Sequence, residues 1–503
     1  MSIVAASFTG PNIAFTDLLP LLVWLGSTCL LLLVGSLVPK WPKGWYAGVA
    51  VTSSVAVVIL EMVKWHNLGK EGSTTAVADA ISVDRFAVFA TIVVAVAVAL
   101  VSTVTHDYLQ REGNDGPELY AMFLTAAMGA QIMVSANDLV VLFLGLETLS
   151  LSLYVLAASN RRREQSQEAG IKYFVLGGFA SAFFLYGIAL IYGATGHTNL
   201  TSIATKLSSQ ISITRNDSLL LVGIGLLLVG LAFKVSAVPF HSWAPDVYEG
   251  APSPVSAFMA SAGKVAAFCA LLRVLTTALE RRVDDWRPVV WALALLTVFV
   301  GSIMAVVQTN VKRMLAFSSI THAGFILVGV EAAAHPGGDG LASSMTYLLL
   351  YTVLVIGSFT VIFIVAGSGD GATSLDDFKG LAKRRPLLAL AFTVLLLAQA
   401  GVPFTGGFIA KFGVIKSAVE VHSYAIAIAA MVAAVIGAFL YLRIMVSMWL
   451  DDPSSGETIT VPRGSGAVVA AAVLFTLFVG IFPGWLLDAT RLVATYRELT
   501  SSN

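Results

Sequence analysis

Charge is scarce in this sequence. Of its 503 residues only 12% are Asp, Glu, Lys or Arg, against about 25% in an ordinary water-soluble domain. Thirty basic and thirty acidic residues cancel, so no net field points to nucleic acid. Cysteine is rarer still. Cys29 and Cys269 both sit in apolar runs and are expected to be small buried hydrophobes, not a disulfide or a metal site. There is no HExxH, no CxxC and no nucleotide-binding loop. His241 and His322 fall on different spans, so a bis-histidine haem site is not expected either. The N-terminal MSIVAASFTGPNIAFTDLLPLL lacks the basic stretch of a signal peptide, and its apolar run is expected to be retained.

What is abundant is apolar surface. The chain is 57% hydrophobic, with a mean hydropathy of +0.84. Water cannot be the solvent for that much of it, which leaves lipid. Its 43 glycines and 16 prolines are spread along apolar runs, as in membrane helices. A crossing takes about 20 residues. Fourteen candidate spans meet this: 18–38, 44–64, 84–105, 118–135, 138–158, 170–193, 219–240, 254–276, 288–308, 311–332, 344–366, 386–417, 422–447 and 465–485. The expected fold is an all-α polytopic bundle with long polar connections only at 65–83, 194–218 and 367–385. With an even number of spans both termini lie on one side. If they face outward, the inner loops hold Lys40, Lys43, Arg111, Arg161, Arg162, Arg163, Lys312, Arg313, Lys379, Lys383, Arg384, Arg385 and Arg463. The outer loops then hold Lys70, Arg85, Lys206, Arg215, Arg281, Arg282, Arg287, Arg491 and Arg497. The excess of positive charge inside favours this orientation, although the 281–287 loop opposes it.

One span is too long. Residues 386–417 would make a straight helix of roughly 48 Å, against a hydrocarbon core of about 30 Å. Its middle, AGVPFTGGFIAKF, places Pro403, Gly406 and Gly407 where a helix would break. VPF also ends the 219–240 span, at 238–240. Each copy lies near a lysine, which suggests an internal repeat with one broken helix in each half.

Those lysines are among several ionisable groups set deep in apolar runs. Lys234, Lys264 and Lys411 lie inside spans, as do Glu147 and His322. A charge at mid-bilayer costs about 2.5–3.5 kcal/mol by insertion measures, so the group is expected to face itself or a hydrated cavity. Snorkelling to an interface is the alternative for Lys234 and Lys411, and Lys416 is expected to do so. Glu147 and Lys234 are expected to pair. His322 could shuttle a proton through its two ring nitrogens, or could be a core histidine bonded to Ser318, Ser319 or Thr321. His241 follows Pro239 at a helix end. Asp246 and Glu249 are expected at the membrane face, fixing a loop or relaying protons.

The stretch FKVSAVPFHSWAPDVYEGAPSPVSAFMASAGKVAAF at 233–268 resembles the signature region of the antiporter-like subunits of proton-pumping NADH–quinone oxidoreductase. FLGLETLSLSLYVL (143–156), NVKRMLAFSSITHAGF (310–325) and AGVPFTGGFIAKF (400–412) fit the same family. The resemblance spans essentially all fourteen helices. A lysine at 411 favours the N type over the M type, and the chain is too short for the L type. The resemblance implies two inverted five-helix repeats, at 118–276 (spans four to eight) and 288–447 (spans nine to thirteen). An N-terminal group at 1–110 precedes them and a final helix and tail at 465–503 follows. It implies a proton relay through Glu147, Lys234, Lys264, His322 and Lys411, with His241 less firmly placed. It implies a non-redox subunit of a proton-translocating enzyme in the bacterial inner membrane. NADH, FMN, iron–sulfur clusters and the quinone (ubiquinone or menaquinone) would belong to partner subunits. Partners would be other membrane-arm subunits, especially M, K and J, together with lipid. A cation/proton antiporter without redox partners, and a non-transporting scaffold, are the other readings.

Overall fold

The computed structural model describes residues 13–38, 41–42, 44–209, 215–335, 338–453 and 459–494. Lys40, Lys43 and Arg497, both chain ends, and parts of the expected 1–110 and 465–503 segments therefore lie outside the described residues. Among those described, thirteen helices are long and apolar enough to cross a membrane. The interrupted pair Pro386–Ala400 and Gly406–Glu420 accounts for the remaining expected span. Three helices form the centre of the bundle: Ser253–Ala278 and Val311–Ala332, whose apolar cores are wholly buried, and Gly340–Ala366, nearly so. The others surround them and turn large apolar side chains outward, among them Phe179, Val435 and Leu450. A surface of this kind is stable only against lipid or another protein.

Local chemistry sets where the helices begin and end. Asp84, Asp138 and Asn310 each accept a backbone N–H of the first turn of the helix they precede, and Thr405 does so for Phe408. Each thereby satisfies one of the amides that a helix start leaves without a partner.

Several expectations need correction. The bundle is not purely helical: Thr74–Ala76 and Ile81–Val83 pair antiparallel. This hairpin occupies the 65–83 connection, because the preceding helix continues to Glu71 and stops only at Gly72, φ 80°. The 194–218 connection contains a helix, Leu200–Ser209, that buries Leu200, Ile203 and Leu207. The span expected at 219–240 ends at Val235, where Ser236 adopts a positive φ of 62°. Lys312 and Arg313 are not loop residues. They form the first turn of Val311–Ala332, and Lys312 is fully buried. Cys29 is exposed, because its helix, Phe15–Leu37, is peripheral and buries only Pro20, Trp24 and Leu31. Cys269 is buried and free. Lys416 is at the surface as expected, paired with Glu420 at 3.0 Å.

Candidate functional site

The central helix Val311–Ala332 organises the buried ionisable groups. Ser319, His322 and Phe325 recur every three residues and so share one face. The Lys264 ammonium donates to the Ser319 carbonyl at 2.5 Å. His322 bonds through Nδ1 to the Tyr347 hydroxyl at 2.7 Å and through Nε2 to the Tyr441 hydroxyl at 3.2 Å. The Lys411 ammonium lies over the Phe325 ring, 4.9 Å from its centre. The histidine helix thus carries Lys264, His322 and Lys411 in that order along its length. His322 lies within electrostatic reach of both lysines. All three are buried. Lys264 is presented by a helix that opens into a π turn over Met259–Gly263, immediately before it, a distortion that often marks functional positions.

Lys411 also closes a helix break. Its ammonium donates to the Ala400 carbonyl at 3.0 Å, the last residue of Pro386–Ala400. The chain then turns through Gly401 at φ +91° and restarts at Gly406. The two halves touch closely: a Cβ on Gly407 would stand 1.7 Å from the Ala398 carbonyl oxygen. A helix C-terminus carries roughly half a negative charge, so a lysine here faces a partial charge rather than a carboxylate.

Lys234 lies at the other break, on the half-helix that precedes it. It lies in the last turn of Arg215–Val235, ahead of an irregular stretch that contains a cis Val238–Pro239 bond. The chain resumes helix at Trp243–Gly250. Its ammonium is framed by the rings of Tyr173, Tyr154 and Phe233, at 5.3, 5.4 and 5.9 Å. Glu147, the expected charge partner, makes no salt bridge with Lys234. Glu147 acts on Lys234 electrostatically, yet Glu147 Oε1 and Lys234 Nζ are both buried with no hydrogen-bond partner among the described residues.

The remaining candidates divide. His241 sits in the first break beside the Pro239 backbone, and among the described residues no hydrogen bond joins it to the Lys264–His322–Lys411 file. Asp246 and Glu249 are structural ties. Asp246 binds Lys172 at 2.8 Å and Arg313 at 2.7 Å, and Arg313 reaches Glu249 at 2.9 Å. They clamp the second half of the broken helix to its neighbours. In the alternative reading His322 is a core histidine beside Ser318, Ser319 and Thr321; its ring instead bonds two tyrosines from other helices, and Ser318 bonds Tyr441 at 2.6 Å. Residue-by-residue reading missed those tyrosines because single aromatics in an apolar span look like packing. It also missed three ion pairs, two of them buried, Arg273 with Asp84 at 2.8 Å and Lys312 with Asp370 at 3.6 Å, and one, Arg287 with Glu331 at 3.1 Å, in which only the carboxylate is buried. Their partners lie far apart in the chain. Among the described residues no cluster of three or more His, Cys, Asp or Glu could hold a metal ion.

Residues 136–437, which contain every group above from Glu147 to Lys411, match the family described as NADH:quinone oxidoreductase/Mrp antiporter, TM. The NADH-quinone oxidoreductase subunit N 1 of Sorangium cellulosum is 45% identical over 408 residues, 80% of this chain and 80% of that one. The chain belongs to the NADH-quinone oxidoreductase subunit N family. The fold is also found in solved structures. A chain of respiratory complex I from Thermus thermophilus superposes with a TM-score of 0.79 at 31% identity, covering 94% of this chain and 99% of its own. A chain of the Mrp complex from Dietzia shares the fold at 20% identity, with a TM-score of 0.84 over 97% of this chain and all of its own.

Proposed function

We propose that this chain translocates protons as a membrane-arm subunit of an NADH–quinone oxidoreductase, through Glu147, Lys234, Lys264, His322 and Lys411. The observation that carries the reading is that Lys234, Lys264 and Lys411 are buried without a carboxylate ion pair among the described residues. A lysine locked to a carboxylate holds its proton; one facing carbonyls, aromatic faces or a helix end can release it. Electron transfer takes place in partner subunits, and its energy reaches this chain as a change of charge or conformation. Glu147 then tunes the charge on Lys234. The proton passes by way of Lys264 and His322 to Lys411, each site biasing its neighbours. His241 is an accessory exchange group.

Two inverted five-helix repeats, at 118–276 and 288–447, are supported by a matched pair of junctions. Leu139 N–H donates to Thr198, and Leu200 N–H to Asn137. In the second half Val311 N–H donates to Thr373, and Leu375 N–H to Thr309. In each junction the residue that caps the helix also bridges the distant segment: Asp138 with Asn199, Asn310 with Ser374. Each half also carries one interrupted helix with its lysine. Both termini on the outer face of the bacterial inner membrane agree with the charge bias of the loops. Partners are supported by the exposure of Phe404 at the second break, 74%, because irregular backbone at membrane depth requires cover from protein or a water-lined cavity. Subunits M, K and J are the neighbours we propose.

Lys234→Ala and Glu147→Ala test the relay. Each should depress NADH–quinone turnover and proton pumping in complex that still assembles. Near-normal pumping in either assembled variant refutes it. Co-purification decides between assemblies: flavin and iron–sulfur subunits are expected, whereas antiporter subunits alone would replace this reading with a cation/proton antiporter.

A further inference from the structure

Glu331 is one of the buried carboxylates outside the relay. Glu331 ends the histidine helix and has no exposed surface. Its Oε1 accepts from Arg287 Nε at 3.1 Å and from the Ser423 hydroxyl at 2.9 Å. Its Oε2 is buried and has no partner among the described residues. Two electrostatically linked groups adjoin it. Arg287 is partly exposed and lines a cavity of about 320 Å3 with Asp284, Pro288 and Trp291. His335, one turn beyond Glu331, lies within electrostatic reach of Glu331 and Arg287, and its Nε2 is likewise buried without a partner. Burial and the Arg287 charge hold this imidazole below its ordinary pKa.

Burying a carboxylate is costly unless all its oxygens are served. Here one oxygen is held in place by two donors while the other is left open. An oxygen free of donors is the one on which a proton can land. Phe325, which carries the Lys411 ammonium, precedes Glu331 by six residues, roughly 9 Å of helix rise. Ser423 comes from the segment that follows the Lys411 helix, so the Lys411 and His322 helices both converge on this carboxylate.

We propose that Glu331 is a further proton-exchange residue, passing protons between Lys411 and the membrane face on which the 281–287 segment lies, with His335 as its contact to water. The inference rests on the relay reading given above. The lysine ammonium gives up a proton through bridging water and becomes a neutral amine, while the Glu331 carboxylate becomes a neutral acid at Oε2. The acid then passes its proton through bridging water to the His335 imidazole, regenerating the carboxylate, and the imidazolium releases it to bulk water. Arg287 and Ser423 stay on Oε1 throughout and fix the orientation of the group.

Glu331→Gln keeps an oxygen for Arg287 and Ser423 but cannot carry a proton. In intact complex it should assemble normally while turnover and proton pumping fall about a hundredfold or more, the scale at which a proton-transfer group acts. Glu331→Asp should retain much of both. Pumping within twofold of the parent in assembled E331Q complex overturns the proposal. If E331Q does not assemble, infrared difference spectra of turning-over complex decide on E331D: a protonated-carboxyl band that moves with the substitution supports the role, and an unmoved band overturns it. Lys234→Ala run in parallel separates the two readings. Loss of pumping there with normal pumping in E331Q rejects Glu331 alone, whereas normal pumping in both rejects the relay.

Discussion

Lys411 has one observed contact and one proposed role, which substitution can separate. Its ammonium hydrogen-bonds the terminal carbonyl of the first half-helix, at Ala400, and in the proposed relay it gives up a proton. A hydrogen bond from a charged group contributes about 1.5–3 kcal/mol. Against a total stability of roughly 5–15 kcal/mol for a typical domain, Lys411→Met should weaken the break without preventing assembly. Lys411→Arg restores the positive charge and a donor for Ala400. Arginine ordinarily holds its proton about three pKa units more tightly than lysine, so its neutral form is about a thousandfold rarer. The structural role predicts a ranking of assembly: parent, then Arg, then Met. The relay role predicts that Arg is nearly as inactive as Met. Complex yield in membranes, NADH–quinone turnover and proton uptake by vesicles measure the two rankings separately. If Lys411→Arg pumps at the parental rate, Lys411 is a helix cap and nothing more, and the relay must end elsewhere.

Three other perturbations have expected outcomes. Gly407→Ala forces a methyl group against the Ala398 carbonyl oxygen; because backbone on both sides must shift, the loss should exceed the roughly 1–3 kcal/mol of ordinary overpacking, read as reduced complex yield and early thermal inactivation. Asp84→Ala takes the bidentate carboxylate from buried Arg273, at a cost of about 3–5 kcal/mol; complex yield should fall while the turnover per assembled complex is preserved. Tyr347→Phe removes the hydroxyl at His322 Nδ1 while keeping the ring. Assembly should be unchanged and turnover reduced several-fold, and unchanged turnover would place the proton path away from that nitrogen.

The fold and the site were legible in the sequence to different degrees. Spans could be read because an apolar stretch long enough to cross lipid has few alternatives. The second break was legible from the misfit between 32 residues and the bilayer, with Pro403 and two glycines to explain it. The positions of Lys234, Lys264, Lys411 and His322 were legible because charge in an apolar run is conspicuous. Their partners were not. Tyr347 and Tyr441 come from helices 25 and 119 residues beyond His322, and nothing local distinguishes them from packing aromatics. Glu331 escaped for another reason. It lies near a span end, where a carboxylate is ordinarily solvated, and only the approach of Ser423 and the Arg287 helix buries it. The hairpin at 74–83 was hidden by its shortness, three residues a strand.

The missing salt bridge bears most directly on mechanism. A carboxylate in contact with Lys234 would have satisfied the cost of burial and made the lysine a permanent cation. Instead the charge is divided among weaker sources. The negative end of a half-helix lies beside it, aromatic faces surround it at 5.3–5.9 Å, and Glu147 acts without touching. Lys411 repeats the arrangement, with the Ala400 carbonyl and the Phe325 ring. No single source binds the proton tightly, yet together they make a buried ammonium tolerable. A small movement of Glu147, or of one half-helix against the other, would then be enough to change which protonation state is favoured. An unbroken helix has no terminus at mid-membrane and cannot offer this. The breaks therefore account for the position of both lysines as well as for the length of the spans.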